Sequence, residues 1–128
     1  MAVAGIGTDI VQVDRFEAFL TPTKHAVLER LFTPTELSYA LPRKQAAQHL
    51  AARFAAKEAF LKALGLGLRD GITWQDMEVR RDENGAPSLF LCGVAAEIFQ
   101  RRGLRCCHLS YSHEQAYATA TVIVEDER

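Results

Sequence analysis

From about Gln45 to Leu64 the chain carries the pattern of one long helix, and the rest of a small domain has to be arranged around it. Leu50, Phe54, Leu61 and Leu64 fall on one stripe at the helical period, the face such a domain must bury. Gly65, with Gly67 close behind, ends the helix, because glycine takes the left-handed cap conformation without strain. Glu58 lies just beside the stripe and Lys62 stands one turn further on, so both project from the same side. Ala51 and Ala55 share their sector and leave room for a ligand or a second chain to approach. Lys57 projects near the middle of the stripe, where an unpaired charge is expensive. As a plain surface pair, Glu58 and Lys62 would contribute only a few tenths of a kcal/mol. With suitable partners elsewhere in the chain they can instead hold a metal and a phosphate together.

A chain of 128 residues supports one domain with a proper core, spanning 1–128, and not two. Its formal net charge of -1 gives no global attraction to nucleic acid or to a membrane surface, so any anion binding must come from local clusters. No stretch is long and apolar enough to span a bilayer, and Met1–Gly7 lacks the pattern of a signal peptide. The expectation is a soluble cytoplasmic protein. Cys92, Cys106 and Cys107 are odd in number and show no C-x-x-C spacing, which supports neither a disulfide framework nor a zinc site. Cys106 and Cys107 count as small strand residues.

Residues 2–10 read as a first strand ending at Asp9-Ile10. A short helix is expected from Asp14, with Asp14 as its N-cap, until Thr21-Pro22 stops it. Residues 24–32 are helical by pattern, with Val27, Leu28, Leu31 and Phe32 on one side. Thr33-Pro34-Thr35-Glu36 starts another helix, which Leu41-Pro42 ends. The glycines of Gly65–Gly71 make a flexible connection whose backbone N–H groups, Gly67's among them, can approach an anion. Residues 76–81 and 87–92 form a hairpin about Asp82-Glu83-Asn84-Gly85. A helix over 94–101 ends at Gly103, and 105–112 pairs with 116–124 about His113-Glu114. The fold class is α+β, an antiparallel sheet packed on a long central helix with short helices before it.

Asp9 stands where the first strand leaves the core and, paired in space with Glu58, supplies two hard oxygen ligands of the kind Mg²⁺ prefers. His113 ends a strand beside Ser112, and the two are candidate donors to a phosphate. His108 alternates in phase with Ser110 and Ser112, away from Leu109, Tyr111 and His113, and is assigned no catalytic role. Arg43, Lys44 and Arg53, with Lys62, can surround a polyanionic ligand. Arg15 and Phe16 form an exposed basic and apolar patch suited to an acidic protein partner. The residues alone support a Mg²⁺-dependent enzyme acting on a phosphate-rich small molecule.

The segments Gly5–Ile10, Phe32–Leu37, Ala52–Ala59, Asp82–Pro87 and His108–His113 together resemble the small type of 4′-phosphopantetheinyl transferase, the holo-[acyl-carrier-protein] synthase family. The resemblance covers nearly the whole chain, and the Arg-Phe-Ala-Ala-Lys-Glu-Ala run with a downstream Ser-His is its most specific part. It implies that fold, and transfer of the 4′-phosphopantetheine arm of coenzyme A to a serine of apo acyl carrier protein, with release of adenosine 3′,5′-bisphosphate and a need for Mg²⁺. It further implies that Asp9 and Glu58 hold the metal, that Lys62 meets the pyrophosphate, and that His113, Ser112, Lys44, Arg53 and Gly67 contact coenzyme A. Arg15 matches a basic residue that receives the carrier protein. The family is a homotrimer with sites between subunits, so Asp9, Glu58 and Lys62 are expected from one chain and His113 from its neighbour. Glu58 is the candidate base, directly or through a water on the metal. The competing reading is a non-catalytic coenzyme A-binding or carrier-docking module.

Overall fold

In the computed structural model, which describes residues 1–127, the long helix runs Ala46–Leu64 and closes on Gly65 at φ 69°. In chain order the elements are β1 (Ala2–Gln12), α1 (Asp14–Phe19), α2 (Ala26–Leu31), α3 (Pro34–Ala40), α4 (Ala46–Leu64), β2 (Met77–Arg81), β3 (Pro87–Leu91), α5 (Gly93–Arg101), β4 (Leu104–His113) and β5 (Tyr117–Asp126). The final position of the 1–128 domain, Arg128, lies outside the described residues. The strands make two antiparallel sheets, one in the order β1-β5-β4 and one of β2 with β3. No helix among the described residues is long and apolar enough to cross a membrane.

α4 is buried on nearly every side, not along one stripe. Its alanines are the reason: Ala51, Ala52, Ala55, Ala56 and Ala59 are all fully buried and let neighbours come close all round. The three-stranded sheet covers one side, and α1, α3 and β2 cover others. Ala51 and Ala55 therefore do not open a path for a ligand or second chain. What approaches them is the chain's own core.

β1 comes closest. A Cβ on Gly7 would lie 1.9 Å from the Ala59 carbonyl oxygen, and one on Gly5 would lie 2.1 Å from that of Ala63. These two glycines let the strand backbone rest on the helix backbone. Asp9 is the next residue on that strand face, so the same contact delivers its carboxylate to the last turns of α4.

Lys57, the charge in the apolar stripe, is fully buried and fully partnered. Its Nζ donates to Glu36 Oε1 (2.6 Å), to the Leu31 carbonyl (2.8 Å) and to the Trp74 carbonyl (3.1 Å). Glu36 also accepts from Thr33 N (2.9 Å) and Val79 N (2.7 Å), and the Thr33 side chain returns the capping box by accepting from Glu36 N. Lys57 thus ties α2, α3 and β2 to the central helix.

Several expectations differ from the structure. Val13 is the N-cap of α1 with no side-chain cap, and Asp14 is already helical, where its charge still favours the helix N-terminus. The helix expected over 24–32 is confined to Ala26–Leu31. Residues 68–70 of the glycine-rich connection wind into a 3₁₀ turn, and Gly67 N–H donates to Asp70 Oδ2 (3.0 Å), so it is not free for an anion. The β2–β3 hairpin turns as expected, with Asp82 Oδ1 accepting from Asn84 N and Ala86 N and Gly85 at φ 84°.

Candidate active site

Lys62 Nζ lies 3.0 Å from Asp9 Oδ1 and donates to the Thr8 carbonyl at 3.1 Å, joining the last turn of α4 to β1. Glu58, half-buried, stands one turn earlier on the same flank. Burial raises its carboxyl above the usual range, the charge of Asp9 raises it further, and Lys62 and Arg15 pull the other way. Two carboxylates close enough to repel, with a lysine on one of them, form a site of hard oxygen donors. Such a donor set fits a small divalent cation. Arg15 borders this site, exposed, its guanidinium 5.7 Å from the Phe54 ring centre. Phe16 does not share that surface. It is fully buried against Phe19, Phe32 and Phe54, because a helix of six residues can bury only one side and Phe16 occupies it.

A second cluster gathers around Arg53. Its side chain is buried, Nη1 donates to the His49 carbonyl (3.2 Å), and the guanidinium lies 4.4 Å from the Tyr39 ring centre. Arg53 Nε is buried without a hydrogen-bond partner among the described residues. His113 Nδ1 donates to Gln48 Oε1 (2.9 Å), and the His113 ring meets the His49 ring edge to face at 5.1 Å. A cavity of about 620 Å³ opens beside Arg53, lined by Tyr39, Arg43, Arg81, Asp82 and Gly85 among others. Tyr39, Gln48, His49 and Arg81 have no role in the sequence reading. Only the spacing of His49 four residues before Arg53 hints that they share a flank.

Lys44 and Ser112 sit elsewhere. Lys44 lines a separate cavity of about 690 Å³ at the start of α4, with Glu17, Gln48 and Gln115. Ser112 is exposed on the outer face of β4, opposite the face that carries His113, so strand alternation keeps the two from facing one phosphate within a chain.

The two clusters lie on opposite flanks of α4. Glu58 and Arg53 are five residues apart, roughly 140° around the helix. Asp9 belongs to one edge strand of the sheet, β1, and His113 to the other, β4. One chain therefore does not bring the acidic site and the Arg53–His113 cluster together.

The surroundings of His49 and His113 disfavour the charged form of both. Burial pulls His49 from its ordinary 6.5 to about 4, helped by His113 and Arg53, and burial likewise lowers His113, helped by Arg53 and Arg81. The unfolded chain then binds more protons than the native one between about 6.5 and 4, so stability falls as pH falls through that window. Urea titrations from pH 7 to 4 should show this loss, and His49→Phe should reduce its slope. An unchanged slope would remove His49 as its source.

Three comparisons bear on this arrangement. A family model described as the 4′-phosphopantetheinyl transferase superfamily matches residues 5–122. The chain is 52% identical over 123 residues to the holo-[acyl-carrier-protein] synthase of Geobacter sp. strain M21, covering 96% of this chain and 98% of that protein. In three dimensions it is similar to the crystal structure of holo-[acyl-carrier-protein] synthase from Neisseria meningitidis, with a TM-score of 0.88, 33% identity, and coverage of 98% of this chain and 100% of that one. It is also similar to the Bacillus anthracis enzyme in complex with CoA (3′,5′-ADP), with a TM-score of 0.80, 34% identity and 98% of each chain covered.

Proposed function

The chain belongs to the 4′-phosphopantetheinyl transferase superfamily, and from that premise we propose that it transfers the 4′-phosphopantetheine arm of coenzyme A to a serine of apo acyl carrier protein. The observation that carries this reading is the convergence of Asp9, Lys62 and Glu58 where β1 rests on α4. Asp9 and Glu58 would hold Mg²⁺, which supplies positive charge to the pyrophosphate oxygens when bound. In the reaction the serine oxygen forms a bond to the β-phosphorus, the bond from that phosphorus to the bridging oxygen breaks, and adenosine 3′,5′-bisphosphate leaves. Glu58 takes the serine proton, directly or through an intervening water. Lys62 offsets the charge that builds on the phosphate oxygens.

Arg53, His113 and the cavity beside them would receive the adenosine bisphosphate end of coenzyme A, the unpartnered Arg53 Nε marking a buried donor without an acceptor. Since these groups lie on the flank away from Glu58, the reading requires copies to meet flank to flank. A contact between unlike surfaces repeats, and where its rotation closes it gives a ring. Three copies, with Asp9, Glu58 and Lys62 from one and His113 from the next, is the arrangement we propose. Ile6 and Ile10, 64% and 67% exposed on the outer face of β1, supply apolar surface for it. Lys44, whose cavity shares Gln48 with His113, would extend the coenzyme A site within the chain, and Ser112 would join it across such an interface. Arg15, without Phe16, would meet the acidic carrier, and the enzyme would work in the cytoplasm without nucleic acid or membrane.

Incubating the protein with apo carrier protein, coenzyme A and Mg²⁺ and measuring the intact mass of the carrier tests the reading. The carrier should gain one phosphopantetheine arm. An unchanged mass, with coenzyme A still bound in calorimetry, would favour the non-catalytic module. Lys62→Ala should slow transfer on the order of 10²–10³-fold, the scale for losing one charge-stabilising donor. A loss confined to the carrier KM would contradict its place at the phosphates.

A further inference from the structure

On the outer face of the three-stranded sheet, β4 and β5 place Cys106 directly opposite Glu125, with His108 two residues along and opposite Ile123. A register shift between Leu104 and Cys106 produces that alignment. His108 Nε2 lies 2.6 Å from Glu125 Oε1, and one ligand atom each from Cys106, His108 and Glu125 fall within 4.8 Å of one another. We propose that these three side chains bind a divalent cation of the zinc type, one per chain, with water completing the coordination.

The donor set decides the class of ion. A thiolate, an imidazole nitrogen and a carboxylate oxygen suit a borderline-soft metal, whereas the oxygen pair of Asp9 and Glu58 suits a hard one. A tetrahedral ion with bonds of ~2.0–2.3 Å needs ligand atoms roughly 3.3–3.8 Å apart, so the 2.6 Å contact between His108 and Glu125 opens and its proton leaves as the ion enters. Neighbouring strands fix the backbone beneath all three residues, so the ligands are already positioned. The adjacent cysteines divide by strand alternation. Cys107 packs toward the core. Cys106 faces the other way, beside His108. Arg105, the nearest cation along the strand, is paired with Glu127 at 3.0 Å. Sequence spacing does not predict the site, because Glu125 joins Cys106 and His108 only across the strand pair.

The test is titration of the reduced, metal-free protein with Co²⁺, read by absorption. We expect one Co²⁺ per chain, apart from any held by Asp9 and Glu58, to give a thiolate-to-cobalt charge-transfer band and tetrahedral d–d absorption, both lost on adding Zn²⁺. Cys106→Ser should abolish the charge-transfer band. It should also weaken Zn²⁺ binding, measured against a chromophoric chelator, by more than the roughly 10–100-fold that loss of an outer-shell partner costs. Glu125→Gln should weaken Zn²⁺ binding too, while Cys107→Ser and Asp9→Asn should keep the band. Absence of a charge-transfer band, its persistence in Cys106→Ser, or its loss in Asp9→Asn would overturn the proposal.

Discussion

Glu58→Gln should lower the rate of phosphopantetheine transfer by at least the ~10²–10⁴-fold that general acid–base catalysis supplies, while leaving the protein folded. Glutamine keeps the size and one acceptor oxygen of Glu58 but cannot take a proton from the carrier serine. It also removes one of the two charges proposed to hold Mg²⁺. Folding should not suffer, because Glu58 sits against another carboxylate. Its proton affinity is raised by burial and then by Asp9, so at neutral pH its charge opposes the folded state. The variant should therefore be as stable as the parent at pH 7 or slightly more so. Initial rates at saturating carrier and coenzyme A, with urea unfolding of the same samples, separate the two effects. Turnover within tenfold of the parent would remove Glu58 from the chemistry, and a large drop in stability would mean that its charge serves packing.

How much of this was legible in the chain depended on the range of each signal. The long helix and its end came from local pattern and one glycine, and the structure keeps both within a residue. Asp9 and Glu58 are 49 residues apart, and no periodicity joins them. They meet because Gly5 and Gly7 let β1 lie on the helix backbone, which a sequence shows only as two glycines in a strand. Phe16 was misplaced because a six-residue helix leaves too little pattern to tell its buried side from its exposed one. Ser112 and His113 illustrate the opposite failure: neighbours in sequence, they point to opposite faces of one strand. The same alternation separated Cys106 from Cys107 and left Cys106 within reach of a glutamate on another strand.

Lys57 was the one charge whose place in the apolar stripe called for an explanation, and it should dominate stability. Lys57→Met should destabilise the fold by about 3–5 kcal/mol, the cost of breaking a buried ion pair from one side. The methionine fills the channel of the lysine stem, so little of the loss comes from a cavity. What remains is Glu36, fully buried, keeping its bonds from Thr33 N and Val79 N but without the cation, while the Leu31 and Trp74 carbonyls lose their donor. Burial already lowers the proton affinity of Lys57, and the charge of Glu36 is the first influence that opposes it, so each group is tolerated because of the other. The double variant Lys57→Met with Glu36→Gln should then lose less stability than the two single losses added together, by at least 1 kcal/mol in a double-mutant cycle. Urea midpoints for the four proteins give that coupling. Additive losses would mean that the pair does not act as a unit, and a Lys57→Met protein as stable as the parent would mean that the backbone bonds of Glu36 suffice to hold α2, α3 and β2 on α4.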